Sequence, residues 1–174
     1  MTLQEAITLI RNKNITETAK SFWADLGCGS GLFTYSLASL LNEESTIYAV
    51  DKNISSFKNI SSFKSVTVNP VELNFEKTTL PFDNLNGIMM ANSLHYVKDK
   101  KSFIERIKNH FGDDGSFLIV EYDLEIANPW IPYPVSFLAL KRLFINAGFS
   151  SVQKISERPS SFRRANLYSA MINE

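Results

Sequence analysis

The chain has 174 residues, 44 % hydrophobic and 21 % charged, the composition of an ordinary globular protein. Eighteen Lys and Arg balance eighteen Asp and Glu, so no overall field draws it to nucleic acid or to an anionic membrane. A chain of this size buries about 70 % of its unfolded surface and needs no disulfide or metal staple; the one cysteine, Cys28, fits a reducing cytoplasm.

Met1 to Glu5 shows no basic stretch leading into an apolar run, so no signal peptide is expected. No apolar run is long enough to span a bilayer. Thr2 and Glu5 have capping-box spacing, and Leu3, Ala6, Ile7 and Ile10 form one helical face behind them. This lead-in covers about residues 1–20. Phe22 to Leu26 is then a short buried strand. After the glycines, Phe33, Leu37, Leu40 and Leu41 recur at helical spacing. Thr46 to Val50 is a second strand, and a polar helix is expected from Ile54 to about Ser61. Ser65 to Asn69 is a third strand and Gly87 to Ala91 a fourth. Lys100 to Phe111 reads as a helix, Gly112 to Gly115 as a turn and Ser116 to Val120 as a fifth strand. The segment from Leu124 to Pro134 holds three prolines and reads as a loop. Phe137 to Ala147 is helical and stops at Gly148. Two more strands, about Val152 to Ser156 and Leu167 to Ile172, have no helix between them and can pair as a hairpin. Strands alternating with helices predict one α/β domain over 1–174, a mostly parallel sheet covered on both faces.

The strongest chemical signal is a strand, then Asp25-x-Gly27-x-Gly29-x-Gly31, then a helix. Glycine tolerates the positive φ of a sharp reversal, and its missing Cβ lets backbone approach a ligand. The following helix turns its free N–H groups toward that ligand. Asp51 closes the next strand twenty positions after Gly31, where a carboxylate can accept from both ribose hydroxyls of an adenosine cofactor. A dinucleotide site wants Gly-x-Gly-x-x-Gly. Here that third position is Leu32, the third glycine comes one residue early, and Asp25 precedes the turn. A carboxylate beside the turn suits a ligand with an ammonium end.

Trp23-Ala24-Asp25-Leu26-Gly27-Cys28-Gly29-Ser30-Gly31, with Tyr48-Ala49-Val50-Asp51, resembles the class I S-adenosylmethionine-dependent methyltransferases. Ala91-Asn92-Ser93-Leu94-His95-Tyr96-Val97 is similar to that family's fourth-strand exit, Gly115 to Tyr122 to its fifth strand, and the final hairpin to its antiparallel seventh strand. The resemblance runs from about Phe22 to the C-terminus. It implies a doubly wound, mostly parallel seven-stranded sheet with a C-terminal antiparallel hairpin, the Rossmann-like methyltransferase fold. It further implies that S-adenosylmethionine is bound by Asp25 and the turn Gly27, Cys28, Gly29 and Gly31; Cys28, inside the turn, reads as a small spacer rather than a nucleophile. Asp51 would hold the ribose and Lys52 flank the adenine. Asn74 stands where the family often has an acidic residue on the adenine amino group, and an amide carbonyl can accept there too. Phe75 would flank the adenine, the alternative being Asn74 in a turn and Phe75 in the core. Ala91 and Asn92 would supply backbone contacts near the sulfonium.

The acceptor side is less marked. Ligands of open α/β sheets bind outside the carboxyl ends of the strands, which selects Asn92, Ser93, His95 and Tyr96 after the fourth strand and Glu121, Tyr122 and Asp123 after the fifth. His95, Tyr96 and Glu121 are the candidate catalytic set. His95 has the free pKa best suited to a base; the alternative is a histidine that packs or caps after its strand. Trp130 and Tyr133 are candidates for an aromatic wall, or cover for the core. Arg163 and Arg164 could grip an anionic acceptor, or form a solvated pair. No Cys/His/carboxylate cluster has metal-site spacing, so no metal is expected. The expected activity is methyl transfer to a small molecule, at a site that a second subunit of a homodimer could complete. A non-catalytic cofactor-binding protein of the same fold is the second hypothesis. Nucleic-acid methylation stands third, since there is no basic stripe and no Asn/Asp-Pro-Pro-aromatic sequence after the fourth strand.

Overall fold

The computed structural model describes residues 1–58, 62–160 and 165–174; Arg163 and Arg164 lie outside the described residues. Helix α1 (Leu3–Ile10) starts as its spacing predicts. Thr2 Oγ1 accepts the Glu5 amide at 3.2 Å and Glu5 Oε2 accepts the Thr2 amide at 2.8 Å. One further turn, α2 (Lys13–Thr16), follows, capped by Asn12. Its four residues are too few to leave a periodicity in the sequence.

Strand β1 (Phe22–Leu26) runs through the glycine turn into α3 (Leu32–Ala38), then β2 (Thr46–Asp51). Next come β3 (Ser62–Phe63), β4 (Val66–Glu72) and β5 (Leu85–Ala91), then α4 (Lys100–Ile107), β6 (Phe111–Tyr122), α5 (Phe137–Asn146), β7 (Ser151–Pro159) and β8 (Asn166–Asn173). The strands form one sheet in the order β3-β4-β2-β1-β5-β6-β8-β7. From β4 to β6 they are parallel, and β8 runs antiparallel to both β6 and β7. The seven expected strands are present with the C-terminal hairpin. The eighth, β3, is a two-residue antiparallel partner for the edge of β4, too short for any pattern to announce.

Alternate residues of a strand face opposite sides, and the core divides accordingly. Trp23, Met89 and Leu118 pack with Ala6, Ile10, Phe33 and Leu37 of α1 and α3. Ala24, Ile88, Met90, Phe117 and Ile119 pack with Phe103, Ile107, Leu140 and Phe144 of α4 and α5.

Three local expectations are corrected. No helix forms over residues 54–58, and the rest of that expected helix, 59–61, lies outside the described residues. Asp51 Oδ1 accepts the Asn53 amide and Asn53 Oδ1 accepts the Ser55 amide; such side-chain turns compete with helical bonding. Helix α4 stops at Ile107, and a 3-10 turn over Lys108–His110 leads directly into β6. Gly112 to Gly115 is not a free turn but an irregular start to β6, where the register against β5 shifts and Asp114 takes a φ of 57°.

Candidate active-site cleft

From β1 the sheet grows one way through β2 and the other way through β5. The chain leaves neighbouring strand ends in opposite directions there, and a crevice opens between them. A cleft of about 410 Å³ occupies that place. Gly27, Gly29, Asp51, Lys52, Asn74, Phe75, Asn92 and Tyr96 line it, together with Ser93 and Glu76.

The turn is built by backbone. The amides of Gly27 and Cys28 donate to Val50 O at 2.7 and 3.1 Å, and Gly31 donates to Cys28 O at 2.9 Å. Gly27 has a φ of 89°, and a Cβ on it would lie 2.4 Å from the Ser93 Cβ. That closeness lets Ser93 Oγ donate to Leu26 O at 2.5 Å, tying the ends of β1 and β5 together. Gly29 differs: a Cβ there would meet nothing within 4 Å, because the position faces open cleft. Its amide donates to Asp51 Oδ2 at 3.0 Å. Both Asp51 oxygens thus hold backbone, one at Gly29 and one at Asn53, and the carboxylate is fixed at the lip of the cleft.

Asp25 lies beneath the turn with no exposed surface. Thr34 Oγ1 donates to its Oδ2 at 2.6 Å, while its Oδ1 is buried without a partner among the described residues. Burial pushes its pKa up to about 7; the Thr34 bond opposes the rise and the Asp51 charge adds to it. Cys28, Gly31 and Ala91 sit behind the lining. Cys28 packs with Tyr35, Ala49, Phe57 and Val68, and burial pushes its thiol well above the usual range. The Cβ direction of Gly31 points at the Phe57 and Tyr35 rings.

Asn92 follows β5 with a φ of 55°, an uncommon conformation that asparagine tolerates best among non-glycine residues. Its amide donates to Val120 O at 2.8 Å, and its side-chain Oδ1 is buried without a partner among the described residues. Asn74 Oδ1 accepts the Glu76 amide at 3.1 Å. It therefore forms a turn and lines the cleft as well. Phe75 likewise does both: it lines the cleft and meets the Phe103 ring edge-on at 5.9 Å.

The residues expected to act on the acceptor separate in depth. Tyr96 is 53 % exposed at the cleft, whereas His95 and Glu121 are 3 % and 1 % exposed. Glu121 accepts twice from one residue, from the His95 amide at 3.0 Å and from its Nδ1 at 2.8 Å. A carboxylate only accepts, so Nδ1 carries the hydrogen. The His95 ring lies 4.3 Å from that of Tyr96. Asp123 Oδ1 accepts the Phe137 amide at the start of α5, a loop-tying role. Tyr133 donates its amide to His95 O at 3.0 Å, and Lys100 Nζ donates to Val97 O and Tyr133 O. The proline-rich loop is thus pinned beside the β5 exit, with Trp130 66 % and Tyr133 38 % exposed. Thr34 and Glu76 escaped the sequence reading. Thr34 lies nine positions after Asp25, on the inner face of a helix, and carried no signal. Glu76 could have been suspected from its place beside Asn74 and Phe75. Among the described residues, no group of three or more His, Cys, Asp or Glu is placed to hold a metal ion. None of the described helices is long and apolar enough to cross a membrane.

The profile of a family described as a methyltransferase domain matches residues 23–155. No curated protein matches the chain. Among solved structures it is similar to the 1,6-didemethyltoxoflavin-N1-methyltransferase of Burkholderia thailandensis, which holds 1,6-didemethyltoxoflavin and S-adenosylhomocysteine. The TM-score is 0.76 at 16 % identity, over 99 % of this chain and 78 % of that one. It is also similar to the magnesium protoporphyrin IX methyltransferase of Synechocystis with bound S-adenosylmethionine (TM-score 0.65, 13 % identity, 98 % of this chain, 77 % of that one). A third is an S-adenosylmethionine-dependent methyltransferase of Aquifex aeolicus (TM-score 0.65, 16 % identity, 98 % of both chains). At these identities the likeness is one of fold.

Proposed function

The chain belongs to the methyltransferase-domain family, and from that membership we propose that it binds S-adenosylmethionine in the cleft at the glycine turn and methylates a small molecule. The observation that carries this reading is the pairing of Gly29 with Asp51. An open glycine position and a carboxylate held by that glycine's own amide lie on one cleft wall. The residues present fit such a ligand. Asp25 Oδ1 and Asn92 Oδ1 are buried acceptors that no group among the described residues satisfies, and buried polar atoms are seldom left so. Asp51 would accept the ribose hydroxyls, Lys52 and Phe75 flank the adenine, and Asn74 offer its amide to the base. The carboxylate of Asp25, beneath the turn, favours a cationic amino-acid end above it.

When bound, S-adenosylmethionine supplies a methyl group already activated on a sulfonium. The protein then has chiefly to align an acceptor with it and keep water out. Tyr96, exposed at the cleft, is the residue in place to touch the acceptor. His95 and Glu121 stand one layer deeper. Their double hydrogen bond fixes the β5 exit and the orientation of the His95 ring. The burial of His95 favours positioning Tyr96 as its main part. A small-molecule acceptor is supported by the solved structures above, two of which are named as methyltransferases of 1,6-didemethyltoxoflavin and of magnesium protoporphyrin IX.

Calorimetry with S-adenosylhomocysteine tests the reading. The wild type binds it, and Asp51→Ala weakens binding by about 1.5–3 kcal/mol, the range for hydrogen bonds to a charged group. An unchanged affinity in the variant would remove the ligand from this cleft. No binding by the wild type would sink the proposal altogether.

A further inference from the structure

The loop after β4 contributes Asn74, Phe75 and Glu76 to the cleft, and its own bonding is sparse. Asn74 O accepts the Lys77 and Thr78 amides, and Asn74 Oδ1 accepts that of Glu76. These bonds close one turn, whose following carbonyls need donors from elsewhere. One side chain provides them. Arg106, near the end of α4, donates from Nη2 to Phe75 O at 2.8 Å and to Glu76 O at 3.0 Å, and from Nη1 to Thr78 O at 3.3 Å.

The guanidinium is held in turn by aromatic packing. Its Cζ lies 5.5 Å from the Phe103 ring centre, and Phe103 meets Phe75 edge-on. Among the described residues Arg106 forms no ion pair with a carboxylate. Its charge is turned wholly to three carbonyl dipoles, a geometry suited to the planar fork of arginine and not to the point charge of lysine. Helix α4 therefore reaches the cleft at both ends. Lys100, its first residue, holds Val97 and Tyr133 on the acceptor side, and Arg106 holds the Asn74–Glu76 wall opposite.

We propose that Arg106 is a positioning residue for the nucleoside end of the donor: it clamps the Phe75–Thr78 backbone so that Asn74 and Phe75 are held ready for the adenine. This inference rests on the reading of the cleft as the S-adenosylmethionine site.

Two measurements on Arg106→Ala test it, with Arg106→Lys beside it. Binding of S-adenosylhomocysteine weakens on the order of tenfold in the alanine variant, and binding of adenosine alone weakens by the same factor, because only the nucleoside wall has moved. Hydrogen exchange at the Glu76, Lys77 and Thr78 amides accelerates. Lysine restores part of both effects, since it reaches fewer of the three carbonyls. A folded Arg106→Ala protein with wild-type affinity overturns the proposal, whatever its exchange rates, since the residue would then be structural only. A wild type that binds no S-adenosylhomocysteine overturns the cofactor reading instead. The positioning proposal falls with that reading, and faster amides in the variant would then mark a structural clamp only. Should the alanine variant fail to fold, Arg106→Lys carries the same readings.

Discussion

Gly27 and Gly29 carry the same signature in the sequence and are required for different reasons. At Gly27 the obstacle is the protein itself, since a Cβ would strike Ser93. Gly27→Ala is expected to cost roughly 1–3 kcal/mol of stability through overpacking, seen as an earlier urea midpoint. At Gly29 the space is open but the backbone has a φ of 52°, so Gly29→Val is expected to cost about 1–2 kcal/mol through backbone strain alone and to lose S-adenosylhomocysteine binding. Equal stability losses with both proteins still binding would show that the two positions are not so divided. Glu121 poses a related question. Both its oxygens accept from His95, and an amide can offer only one oxygen to those two donors. Glu121→Gln leaves one of them opposed by an N–H₂ group in a buried place. The expected loss is about 1–3 kcal/mol, the cost of an unsatisfied buried polar group. A variant with wild-type denaturation would mean that the pair contributes little.

Among the elements, the loop between β6 and α5 is fastened at a few named points. Asn128 Oδ1 accepts the amides of Trp130 and Ile131, Tyr133 bonds to His95 O, and Lys100 reaches Tyr133 O. Lys100 is half-buried, and burial lowers its pKa against the pull of Glu121. Lys100→Met keeps much of the stem and removes the strap. Limited proteolysis should then cut between Ile126 and Tyr133 faster than in the wild type, with little change in the global unfolding midpoint. Unaltered cleavage would mean that the backbone bonds suffice. The expected helix after Asp51 belongs to the same scale. It was expected as a polar helix, but Asp51 and Asn53 bind local amides instead. Side chains able to bond their own backbone make periodicity a weak guide over so short a stretch.

For the molecule as a whole, Asp25 links the site to folding. Its carboxyl has a pKa of about 7 in the folded chain against 3.8 when unfolded, chiefly through burial. The folded state therefore holds a proton that the unfolded chain releases from about pH 4 upward. This contribution is fully present at low pH and is lost as pH rises through about 7. Asp25→Asn keeps an acceptor for Thr34 and removes the titration. Between pH 5 and pH 8 the wild type should lose stability relative to the variant in thermal or urea unfolding. Parallel profiles for the two proteins would show that Asp25 ionises freely when folded.

The sequence by itself determined the alternation of strands and helices, the capping box at Thr2, the terminal hairpin, and the conjunction of the glycine turn with Asp51. Each is written in local spacing, or in two short motifs one crossover apart, where chain geometry leaves few choices. The cleft needed the fold. Thr34 under Asp25, Ser93 against Gly27 and Arg106 on the Phe75–Thr78 carbonyls are contacts between residues 9, 66 and 28 to 31 positions apart, and no period relates them. Depth, too, was decided only in three dimensions. His95 and Tyr96 are neighbours in the chain. The 3-10 turn over Leu94–Tyr96 buries the first against Glu121 and leaves the second at the cleft. Adjacent side chains on such a turn point about a third of a revolution apart, so packing on one side settles which of them can meet a ligand.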